Sequence, residues 1–170
     1  MESRAKFLGH SVHQMLIVFP LGLLATSLLF DLAWLLTDSP GMAATAWWLQ
    51  VAGLIGGAVA APFGTIDWLG IPAGTRAKRI GALHGGGNVL VMLLFLLSAW
   101  MRREAPATPA PLDLLPSFLG GGIALVTAWL GGELVARLGV GVYEDAGLDA
   151  DSSLAHRHHH GRHVKVGARH

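Results

Sequence analysis

Four stretches of this chain contain no Asp, Glu, Lys or Arg: His10 to Phe30, Ser39 to Ile66, Ile80 to Met101 and Leu114 to Gly132. Uncharged apolar runs of about 18 residues or more are the signature of helices that cross a bilayer, because only a helix satisfies its own backbone polar groups in hydrocarbon. The blocks therefore argue against a soluble enzyme. Composition agrees: the 170 residues are 52% hydrophobic and 14% charged, against about 25% charged in soluble domains. A formal net charge of +1, with no basic domain, gives no footprint for nucleic acid. With no Cys, the chain has no disulfide, thiolate zinc site, cysteine-held iron–sulfur cluster or Cys nucleophile.

The expected fold is all-α, an integral membrane four-helix antiparallel bundle. The spans are about 13–36, 43–66, 80–101 and 114–136, within a transmembrane domain of residues 1–142. Each span rises about 33–36 Å, enough for ~30 Å of hydrocarbon with some tilt. Thr37-Asp38-Ser39-Pro40-Gly41, Gly70-Ile71-Pro72-Ala73-Gly74 and the proline-rich Ala105 to Pro111 punctuate them. Loops this short make consecutive helices antiparallel neighbours. Ten of the twelve Lys and Arg residues fall on one side: Arg4, Lys6, Arg76, Lys78, Arg79, Arg137 and four in the tail. Only Arg102 and Arg103 fall on the other. The excess predicts cytoplasmic N- and C-termini. Trp34, Trp47, Trp48 and Trp100 mark the outer interface and Trp68 the inner one. The first apolar run is too long for a signal peptide, and three more follow it.

This topology carries ionisable groups from all four helices to the inner leaflet. His10 and His13 open the first span, Asp67 closes the second, His84 opens the third, and Glu133 lies near the end of the fourth. Such groups near hydrocarbon turn to the bundle interior or the interface and find partners. The plain alternative is that residues at helix ends simply touch water. His10 and His13 are three apart and share a helix side; Pro20, Ser27 and Asp31 extend a polar seam from His13 toward the outer end, with a kink expected at Pro20. His84 stands among Gly81, Gly85, Gly86 and Gly87, which invites close approach by another helix or by a flat ligand such as haem. Gly53, Gly57 and Ala61 form a second small ridge, read as helix packing. Glu133 follows two glycines and has Arg137 one turn on as its local partner.

After Val142 the composition changes. Residues 143–170 read as a disordered cytoplasmic tail, first acidic and then rich in histidine. His156, His158, His159, His160 and His163 could bind Zn, Ni or Cu weakly, or merely be solvated.

Gly9-His10-Ser11-Val12-His13 with Phe19-Pro20, Ile66-Asp67-Trp68-Leu69-Gly70 with Thr75-Arg76, His84 with Asn88, and Leu130-Gly131-Gly132-Glu133 with Gly139-Val140-Gly141 resemble four motifs of one bacterial membrane family. It is the domain of unknown function numbered twenty-two thirty-one, over residues 9–142. The resemblance implies a four-helix transmembrane fold in a bacterial inner membrane, and no established activity. Some members of the family are joined to redox modules such as Rieske-type domains, which implies electron transfer and a redox partner protein. Ser11 and Gln14 depart from prolines common in the family, and Val18 stands where some members carry a further histidine.

Two readings of the inner cluster follow. In the first, His13 or His10 and His84 hold b-type haem between two helices, or join a carboxylate in a divalent-metal site, with Asp67 or Glu133 orienting an imidazole. In the second, the cluster is a hydrogen-bonded lock in a structural or assembly protein of the bilayer. A small transporter would need this chain to form a homo-oligomer, and no internal repeat supports one. No nucleophile elbow, Walker loop or metalloprotease motif marks an enzyme.

Overall fold

The computed structural model describes residues 1–154 and is mostly helical. A short hairpin comes first, β1 (Lys6–Phe7) paired antiparallel with β2 (His10–Ser11). Leu8 and Gly9, with φ of 49° and 86°, form its two-residue turn. Left-handed conformation at both central positions is what a tight hairpin requires, and Gly9 supplies it without strain. The helices are α1 (Val12–Leu16), α2 (Val18–Thr37), α3 (Pro40–Gly70), α4 (Arg76–Met101) and α5 (Leu115–Ala136), the last led in by a 3-10 turn at Pro111–Leu114.

Among the described residues, four helical segments are long and apolar enough to cross a membrane: Val12–Thr37, Pro40–Gly70, Arg76–Met101 and Pro111–Ala136. They begin one to four residues before the expected spans. Local chemistry sets the true starts. Pro40 occupies the first position of α3, where its missing N–H costs nothing. The Thr75 hydroxyl accepts from the Lys78 amide at 3.1 Å and caps α4. The second span, 31 residues, rises about 46 Å and exceeds the hydrocarbon thickness.

The first span is interrupted at Ile17, between α1 and α2. Pro20 is the cause, three residues later. It offers no amide to the Leu16 carbonyl one turn back, and its ring crowds that carbonyl. The effect of Pro20 is therefore felt one turn toward the N-terminus, as a break between α1 and α2.

α2 packs chiefly on α3 and α4 on α5; α3 against α4 and α2 against α5 close the arrangement. Leu24, Val91 and Phe95 form one buried cluster, and Trp34, Ala43 and Leu114 another. Trp34 is thus a core residue rather than an interfacial anchor. Small residues let the helices approach. A Cβ on Gly53 would lie 2.7 Å from Leu24, and one on Gly57 2.6 Å from Met92. Ala61, the third member of that ridge, is exposed. The outward faces carry large apolar side chains such as Leu29, Leu93, Leu125 and Val126. In spanning helices these meet the lipid bilayer.

Beyond α5 the chain returns to the hairpin. The Gly141 amide donates to the Met1 carbonyl at 2.9 Å, and the Tyr143 hydroxyl donates to the Gly9 carbonyl. Ser153 reaches the Leu8 carbonyl at 3.4 Å. These two residues belong to the stretch expected as tail. The tail histidines His156, His158, His159, His160 and His163 lie outside the described residues.

Candidate functional site

Asp67, near the C-terminal end of α3, gathers the N-terminal segment. Its carboxylate oxygens lie 2.7 and 2.8 Å from the Ser3 hydroxyl, and one of them accepts the Arg4 amide at 2.7 Å and the Ala5 amide at 3.2 Å. The Ser11 hydroxyl adds a 3.4 Å contact. A carboxylate accepting several N–H and O–H donors is fixed in place. Here it ties the hairpin to the end of α3. Lys6, on the same hairpin, pairs with Glu2 and lies 4.4 Å over the Tyr143 ring. The hydrogen bond to Glu2 is the main reason its pKa is raised.

His10 does not open a helix. It lies in β2 opposite Phe7, exposed. The helical spacing that put it beside His13 fails because α1 starts only at Val12. His13 is half-buried and faces α3. Its Nδ1–H donates to the Ala60 carbonyl at 3.1 Å, since a carbonyl can only accept. Its ring fills the space over Gly64, where a Cβ would lie 2.7 Å from Cε1.

His84 joins α4 to α5. Its Nδ1–H donates to the Thr127 carbonyl at 2.8 Å, and the Asn88 side-chain amide lies against the ring, 3.2 Å from Nε2 and 3.5 Å from Nδ1. Asn88 in turn accepts the Thr127 hydroxyl at 2.9 Å. The imidazole and Asn88 thus hold two groups of the same α5 residue, the Thr127 carbonyl and its hydroxyl. The glycines around His84 divide by neighbour. A Cβ on Gly81 would meet Trp68 at 2.7 Å and one on Gly87 would meet Thr127 at 2.5 Å, whereas Gly85 and Gly86 have nothing within 4 Å. Helix packing accounts for two of the four. Glu133 pairs with Arg76, at the start of α4, at 2.7 Å, and not with Arg137 on its own helix. Among the described residues, no group of three or more His, Asp and Glu is placed to hold a metal ion. The residues expected as one cluster are distributed over separate contacts: Asp67 with the hairpin, His13 with α3, and His84 and Glu133 between α4 and α5.

The most tightly buried polar group lies at the other end of the helices. Asp31 of α2 and Arg102, which caps α4, have fully buried side chains and form a two-pronged ion pair, Nη1 to Oδ1 at 2.6 Å and Nη2 to Oδ2 at 3.1 Å. Gln50 of α3, also buried, donates to Asp31 Oδ2 at 3.3 Å. Gln50 Oε1 and Arg102 Nε have no hydrogen-bond partner among the described residues. Around this pair the remaining polar groups are satisfied by backbone. The Ser27 hydroxyl donates to the Leu24 carbonyl, Ser98 to Asp113, Ser117 to Leu114, and the Trp47 indole to Ala99 at 2.9 Å. Sequence reading marked Asp31 as the outer end of a polar seam and set Arg102 on the same side, without joining them. The available signal was charge: a lone carboxylate in a span needs a cation at its depth, and on that side only Arg102 and Arg103 offer one.

A family model described as a predicted membrane protein, DUF2231, matches residues 9–144. No curated protein and no solved structure matches the chain.

Proposed function

The chain belongs to this family of predicted membrane proteins, and on that premise we propose that it is an inner-membrane assembly module whose intramembrane polar groups lock its helices together. The helices run antiparallel in chain order, with both termini cytoplasmic. Three contacts support the antiparallel order. Trp47, early in α3, bonds Ala99, late in α4; His84, early in α4, bonds Thr127, late in α5; Arg76, first in α4, pairs with Glu133, near the end of α5. The sidedness rests on the basic residues. Pairing strengthens it, because Asp31 neutralises Arg102 and leaves Arg103 as the one unburied cation of the outer loops.

The observation that carries the lock reading is His84. Its ring is committed to the helix pair: Nδ1–H holds the Thr127 carbonyl of α5, and Asn88 lies against the ring and accepts the Thr127 hydroxyl. Asp67, Glu133 and Asp31 are likewise occupied by protein donors. The deciding experiment is an absorption spectrum of the protein from haem-supplemented cells, oxidised and then dithionite-reduced. The lock predicts a featureless visible spectrum and a His84→Ala variant that is less stable. A Soret band with sharp reduced bands, lost in His84→Ala, would replace the lock with a b-type haem site.

A further inference from the structure

At the end where Arg102 closes α4, the outward surface between α3 and α4 carries a groove of about 280 Å³. Val51, Leu54 and Leu96 form apolar walls, Trp47 and Trp100 stand at the rim, and Arg103 lies at the mouth. From Trp47 to Leu54 the groove descends two helical turns, about 10 Å. That places its floor in the acyl region if its rim sits at the interface, where tryptophan is favoured.

The mouth is charged in a particular way. Arg103 is held by its own helix end, with Nη1 donating to the Trp100 carbonyl at 2.8 Å and the guanidinium 4.2 Å from the Trp100 ring centre. Glu104 stands beside it, Nε to Oε1 at 3.2 Å, and both side chains reach solvent. A cation and an anion side by side complement a phosphate and an ammonium on one short headgroup. An anionic headgroup would gain Arg103 and meet repulsion from Glu104. A quaternary ammonium has no N–H to donate to the carboxylate.

We propose that this groove binds a zwitterionic glycerophospholipid with an ethanolamine headgroup: one acyl chain along the apolar walls, the phosphate on Arg103 and the ammonium on Glu104. The site depends on the helices spanning the bilayer and not on the polar locks.

Native mass spectrometry of the full chain, offered equal amounts of phosphatidylethanolamine, phosphatidylglycerol and phosphatidylcholine in mild detergent, tests it. The expected result is several-fold greater retention of phosphatidylethanolamine by the unaltered protein. Arg103→Ala then lowers that retention several-fold, and Glu104→Gln erases the preference over phosphatidylglycerol. Both variants change exposed side chains and keep the unaltered melting temperature. Equal retention of the three lipids, or retention unchanged in Arg103→Ala, overturns the proposal. So does a lipid-free dimer, which assigns the groove to a second copy of the chain.

Discussion

Asn88 stands four residues after His84, one turn along the same helix face, and that spacing decides what the imidazole does. The side-chain amide lies against the ring while the backbone of α5 takes Nδ1–H. Truncation to His84→Ala leaves the Thr127 carbonyl without this donor and Asn88 without the ring it lies against. The cost of such orphaned buried groups is about 1–3 kcal/mol, and Asn88→Ala falls in the same range because it opens the same network. Thermal unfolding in detergent, followed by circular dichroism, measures both. The sequence motif was legible as His84 with Asn88, but which side chain Asn88 serves was not. Nor was the partner of Glu133, since Arg137 is one turn away and Arg76 is 57 positions away. Spacing along one helix can be read from a sequence; which neighbouring helix supplies a charge depends on packing.

Among the elements, α4 shows how glycine clusters mislead. Four glycines near a histidine suggest something pressed against the backbone, and half of them meet nothing within 4 Å. Glycine in a helix interior costs about 1 kcal/mol relative to alanine. Gly85→Ala therefore stabilises α4 by up to about that amount, whereas Gly64→Ala on α3 drives a methyl into the His13 ring and destabilises. Unfolding midpoints of the two variants moving in opposite directions would verify this; equal shifts would contradict the contact geometry. The helices themselves were legible, because hydropathy and breakers both follow from the solvent the chain must satisfy. The hairpin at β1 and β2 was not: two-residue strands carry no periodicity, and the missed hairpin is why His10 was misplaced beside His13. Pro20 was readable as a disturbance of the first span, while the break at Ile17 follows from the carbonyl one turn back.

Across the whole molecule, polar contacts join the helices at both ends of the spans, and the apolar side chains between them face lipid or fill two small cores. A reporter fused after Ala136 reads cytoplasmic on this account. A periplasmic signal there would reverse the sidedness and leave the internal bonds in place. On this account the Asp31–Arg102 pair matters most for cohesion. α2 and α4 face each other across the arrangement, and Asp31–Arg102 bridges them with Gln50 of α3 beside it. A double-mutant cycle on Asp31→Leu and Arg102→Met, read by unfolding free energy, tests that claim most directly. Each single variant strands one buried charge and is expected to lose about 3–5 kcal/mol, while the double variant, with no charge left to strand, loses less than either. If the two losses simply add, the pair is not coupled, and something other than this lock holds α2 to α4.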